Sequence, residues 1–168
     1  MVFAASLLLI AMAAVNLIGI KESSYLNLIL TSIQIIGLVF VVIISLKYFG
    51  SVNYFETSSQ GIKGIFSGAS LIFFAYIGFE SLVKLSEETK NSKKIIPIAL
   101  ITSLIIATIL YILVSLSAVS VLGHELLSKS KAPLADVVSR VLGAEFGLMI
   151  TYIALIATST TVLLILLA

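Results

Sequence analysis

Five long stretches of this chain carry almost no charge, and no other property limits its fold so tightly. Val2–Ile20 and Tyr25–Leu46 contain no charged residue, and Gly64–Val83 contains only Glu80. Ile95–Gly123 and Phe146–Ala168 are again uncharged. A helix rises about 1.5 Å per residue, so about 20 apolar residues cross a hydrocarbon layer of about 30 Å. Each stretch meets that length. The runs are continuous, without the in–out alternation of barrel strands, so they predict helices. Of the 168 residues 60% are apolar and 11% charged, against about 45–50% and about 25% in soluble domains. One soluble core would not hide that excess, so the natural solvent is a bilayer. The predicted fold is all-α: a polytopic membrane helix bundle in one domain, with helices over about 2–20, 25–46, 64–85, 95–122 and 146–168. The first stretch has no basic leader and no small-residue cleavage site before Lys21, so a retained span is expected rather than a signal peptide.

The connections are short. Lys21-Glu22-Ser23-Ser24 reads as a tight polar turn, and Lys47 to Lys63, with Gly50, Ser51, Asn53, Ser58, Ser59 and Gly61, as a loop. The charged run Glu87 to Lys94 precedes Pro97, which suits the first turn of the next helix. In the fourth connection Leu134, Val137, Val138, Val141 and Leu142 fall on one helical face, with Asp136 and Arg140 on another. A short amphipathic helix over 132–142, opened by Pro133 and closed by Gly143, is expected at the membrane surface or packed on the bundle. The alternative is an ordinary loop helix.

Charge and composition exclude several functions. A net charge of +2, with no basic patch among aromatics, gives no sign of a nucleic-acid partner. Cysteine is absent and His124, expected in a loop, is the one histidine, so thiolate and histidine metal sites are unavailable. No serine–histidine, paired-aspartate or metal-ligand arrangement stands in the spans, which disfavours an intramembrane enzyme. If the spans alternate, five cations fall on each side: Lys21, Lys84, Lys90, Lys93 and Lys94 against Lys47, Lys63, Lys129, Lys131 and Arg140. The count does not orient the chain. The densest cluster, Lys84 to Lys94, favours a cytoplasmic loop and an external N-terminus, which hints at a missing upstream segment.

The third stretch differs from the rest. Gly64, Ser67, Gly68, Ala69 and Ser70 crowd its first half, residues that let membrane helices approach closely. Phe73, Phe74, Tyr76, Gly78 and Glu80 follow. An acidic residue at a membrane helix centre costs about 2.5–3.5 kcal/mol and commonly faces a bundle interior or a proton or substrate route. Equally, Glu80 stands four residues before Lys84, and Glu88 four beyond it, so a surface ladder is open. Gly78 serves either packing or a helix interruption that frees backbone groups for a ligand.

Phe73-Phe-Ala-Tyr-Ile-Gly-Phe-Glu-Ser81, followed by Ser86-Glu-Glu-Thr-Lys-Asn91 and Ile96-Pro97, resembles the sixth helix and following loop of amino-acid permeases. These belong to the amino acid–polyamine–organocation superfamily. Asn16 to Ser24 is similar to the turn between the family's fourth and fifth helices. Ala132-Pro-Leu-Ala-Asp136 and Ala157 to Leu164 are similar to the approach to the eighth helix and that helix itself. Ser92 stands where the family usually has proline, and Lys84 where it has a small or neutral residue.

The resemblance implies part of an inverted-repeat, LeuT-like transporter fold, with a broken helix at about 64–89 interrupted near 75–78. It implies a fragment covering about helices four to eight, unable to transport alone, with the missing helices supplied by a parent protein. The substrate, an amino acid or related amine, would lie at Phe74, Ala75, Tyr76, Ile77 and Gly78. Carbonyls of Phe74, Ala75 and Ile77 would accept from its ammonium, and Phe74 matches an aromatic gate. Glu80 matches a carboxylate of proton-linked members. Gln34 falls where several relatives carry a lysine in place of sodium, and glutamine cannot supply that charge. Ser159 and Thr160 lie near hydroxyls that bind sodium in coupled relatives, though such hydroxyls more often bond their own helix. No cofactor is implied beyond a coupling H+ or Na+. The implied function is secondary active amino-acid transport, by symport or exchange, across the plasma membrane. The alternative is a truncated five-helix membrane protein with a structural or regulatory role.

Overall fold

Helix α1, Ile20–Ser45, starts where Gly19 breaks the backbone at φ 149°. The computed structural model describes residues 10, 12–14, 16–17, 19–54, 61–73, 76, 89 and 91–167. The polar run Lys21 to Ser24, expected as a turn, is the first turn of α1, and the Ser23 amide donates to the Gly19 carbonyl at 3.1 Å. Glu22 in that turn complements the positive end of the helix dipole. Polar composition alone cannot tell a turn from a helix start, and here Gly19 supplies the break. A 3₁₀ turn, Leu46–Tyr48, ends the helix. Helix α2 covers Gly61–Phe73.

Helix α3, Ser92–Lys129, begins earlier than the expected residue 95. Asn91 at φ 54° takes the left-handed conformation that asparagine tolerates, and its carbonyl accepts from the Lys94 and Ile95 amides at 3.0 and 3.1 Å. Pro97 therefore lies inside the helix rather than in its first turn. Gly123, at φ 72° and ψ 169°, kinks α3. Beyond that kink His124 is helical, not in a loop. Near it, Ser51 Oγ donates to the Ser120 carbonyl at 2.9 Å, which ties the chain after α1 to α3. Helix α4, Pro133–Leu142, has proline at its start and ends at Gly143, φ 107°. Helix α5 is Ala144–Leu167.

The chain divides into two compact units, Met1–Ser51 with Leu113–Ala168, and Val52–Ile112. The first unit is centred on Val41, Ala118, Val121, Val137, Val138 and Ile150. Helix α4 lies against α1 and α5 there, with Val137 and Val138 fully buried. Leu134, Val137, Val138 and Val141 of its apolar stripe thus face protein, while Leu142 at its end is exposed. Helices α1 and α5 run antiparallel, and a Cβ on Gly37 would stand 2.9 Å from Ile153 Cδ1, so glycine permits the close approach.

Three of the described helices are long and apolar enough to cross a membrane: Glu22–Tyr48, Ser92–Lys129 and Ala144–Ile165. They expose many large apolar side chains, among them Leu28, Ile36, Ile105 and Leu155. Among the described residues there is no strand. The molecule is an all-α membrane helix bundle.

Candidate functional site

The first unit brings Gln34 and Thr160 together. Gln34 Nε2, on α1, donates to Thr160 Oγ1, on α5, at 2.8 Å. Thr160 is 5% exposed, and its own hydrogen points to the α5 carbonyls of Ala157, at 2.8 Å, and Ile156, at 3.4 Å. A hydroxyl has one hydrogen and two lone pairs, so this one retains a single lone pair. Ser159 is not part of the pair. It lies about 100° around the helix from Thr160, is half-buried, and donates to the Leu155 carbonyl at 3.0 Å.

Gln34 also lines a cleft of about 330 Å³ between α1, α4 and α5. Gly37, Ala132, Ala135, Ala154 and Ala157 line it too, and these short side chains leave the space open. Closer to the start of α1, Asn16 Nδ2 donates to the Leu163 carbonyl at 3.3 Å. The side-chain oxygens of Asn16 and Asn27 are buried with no hydrogen-bond partner among the described residues. The sequence reading assigned a role to neither, because a lone asparagine in an apolar run carries no periodic signal.

In the second unit Tyr76 has 3₁₀ geometry and packs on α3. Its hydroxyl lies 2.9 Å from Thr108 Oγ1. Thr108 already gives its hydrogen to the Leu104 carbonyl at 2.8 Å, so Tyr76 is the donor. The Tyr76 ring meets Tyr111 edge to face, with centroids 5.5 Å apart and planes at 70°, a favoured aromatic geometry. Thr108 and Tyr111 stand three apart, a spacing that places them on one face of α3. That spacing was the available signal for this cluster. Phe74, Ala75, Ile77, Gly78, Glu80 and Lys84 lie outside the described residues. Among the described residues no group of three or more His, Cys, Asp or Glu stands close enough to hold a metal.

A family model described as amino acid permease matches residues 1–168, the whole chain. The chain belongs to the amino acid permease family. The relatives it matches are named as transporters and permeases, and family membership with the apolar helices makes the chain an integral, multi-pass membrane protein. Among related permeases and transporters, the chain is similar to cationic amino acid transporter 9, chloroplastic, of Arabidopsis thaliana, at 31% identity over 96% of the chain and 28% of the relative. It is similar to the branched-chain amino acid permease BcaP of Bacillus subtilis (strain 168), at 39% identity over 58% of the chain and 21% of the relative. It is similar also to the methylthioribose transporter of the same bacterium, at 33% identity over 67% of the chain and 24% of the relative. The chain thus spans about a quarter of the length of these relatives. No solved structure matches it.

Proposed function

We propose that this chain forms part of a secondary active amino-acid permease of the plasma membrane, a symporter or exchanger that holds its substrate at a broken helix around Phe74 to Gly78. The observation that carries the reading is the family match along the whole chain. Relatives named for cationic and branched-chain amino acids support an amino-acid or related amine substrate. Free carbonyls of Phe74, Ala75 and Ile77 would accept from its ammonium group. Phe74 would close over it. Glu80 would carry the coupled proton, while Gln34, Ser159 and Thr160 mark the place to look for a sodium ion.

Uptake of radiolabelled amino acids into proteoliposomes, using the complete gene product, tests this. Saturable uptake that responds to an imposed proton or sodium gradient is expected. The alternative is a membrane protein with a structural or regulatory role. A gene product that inserts correctly and takes up no amino acid supports that alternative.

A further inference from the structure

We propose that the cleft between α1, α4 and α5 is a binding site for a small, neutral, apolar molecule with one hydrogen-bond donor, which it gives to the side-chain carbonyl of Gln34. This ligand is not the transported substrate, and the inference stands apart from the transport reading above.

The orientation of one amide carries the inference. The Thr160 hydrogen goes to the Ala157 carbonyl, so Gln34 turns its Nε2 towards that hydroxyl. The other end of the amide, Oε1, has no hydrogen-bond partner among the described residues. Nor is it among the buried unpaired oxygens, which are those of Asn16 and Asn27, so it is open to the cleft that Gln34 lines. Gln34 stands near the middle of the span Glu22–Tyr48. Water is scarce at that depth, so an open acceptor there favours a ligand that brings its own donor. Thr151, the one other polar side chain lining the cleft, gives its hydrogen to the Gly147 carbonyl at 3.2 Å. It stands about 13.5 Å along α5 from Thr160, so no single water bridges it to Gln34. Complementarity sets the rest of the ligand. None of the described residues lining the cleft is charged, so an amino-acid zwitterion would meet no counter-charge there. Leu38, Val41, Ile150 and Ala154 give it apolar walls. Its volume of about 330 Å³ lies within the range of small-molecule pockets, about 300–1,000 Å³. An apolar cavity of about 150 Å³ already takes up benzene.

The test is equilibrium dialysis of radiolabelled indole and benzofuran against the complete gene product in nanodiscs, corrected for empty nanodiscs. The two molecules have nearly the same shape, but indole carries an N–H where benzofuran has an oxygen. Saturable indole binding is expected. The affinity for indole relative to benzofuran should be about three- to tenfold higher in the wild type than in Gln34→Leu, the worth of one hydrogen bond. Taking this ratio cancels the different partitioning of the two molecules into lipid. Ala154→Leu fills the cleft and leaves the Gln34–Thr160 bond in place, so it tests the site even where Gln34→Leu fails to fold. It should lose saturable binding of both molecules. Folded wild-type protein that binds neither one saturably would overturn the proposal and mean that a further protein segment fills the cleft. Indole binding unchanged in Ala154→Leu would overturn it by placing the ligand elsewhere. A preference for indole unchanged in Gln34→Leu would overturn it by leaving an apolar void that reads no donor.

Discussion

Gln34 and Thr160 meet through one amide–hydroxyl hydrogen bond inside an apolar unit. Removing the hydroxyl leaves an amide donor facing a methyl group, and such a loss costs about 0.5–2 kcal/mol in proteins and membrane bundles. Thr160→Val is expected to lower the unfolding midpoint in detergent. Gln34→Leu combined with it should cost less than the sum of the two, because no partner is then left unpaired. Ser159→Ala, one residue away, should change little, since the Ser159 hydroxyl donates to its own helix at the Leu155 carbonyl and not across to α1. Glu80 belongs to the proposed function. Glu80→Gln in the complete gene product should reduce proton-linked uptake and flatten its pH dependence. An unchanged pH profile would return Glu80 to a pair with Lys84.

At the scale of elements, the corner between α4 and α5 rests on Gly147. A Cβ there would come within 2.9 Å of the Ala135 carbonyl and would run into the Ser139 side chain. Serine can rotate away, but a backbone oxygen in a packed helix cannot. Gly147→Ala is therefore expected to destabilise by about 1–3 kcal/mol. Gly68 in α2 is the control: among the described residues nothing lies within 4 Å of a Cβ there. Gly68→Ala should be neutral or stabilising by up to about 1 kcal/mol. Unfolding midpoints of the two variants, compared in one detergent, check both. The start of α4 has its own fastening. Ser130 Oγ donates to Asp136 Oδ2 and accepts from the Ala132 amide at 3.2 Å.

For the whole molecule, the exposed apolar side chains of α1, α3 and α5 dictate the solvent. Membranes carrying the protein should retain it through alkaline carbonate washing, and release into the wash would contradict the membrane assignment. The chain covers only 21–28% of the three relatives compared above. The 168 residues alone are accordingly expected to give no gradient-driven uptake in proteoliposomes, whatever the complete gene product does. Saturable uptake by the isolated chain would mean that these helices, alone or associated, form a pathway.

Helix formation was legible in the amino-acid sequence because the bilayer makes it a local requirement. Backbone groups in hydrocarbon must find partners within their own segment, so a long apolar run already implies a helix. The stripe Leu134, Val137, Val138 and Val141 was legible for a similar reason, since its period is written in neighbouring residues. The boundary at Gly19 was not: Lys21 to Ser24 suits a turn and a first helical turn equally well, and backbone geometry decided between them. Tertiary structure alone decided which partners the polar side chains take. Gln34 meets Thr160 across 126 residues and Tyr76 meets Thr108 across 32. No local pattern encodes such pairs. They form because packed helices bring together groups that have no water to bond instead.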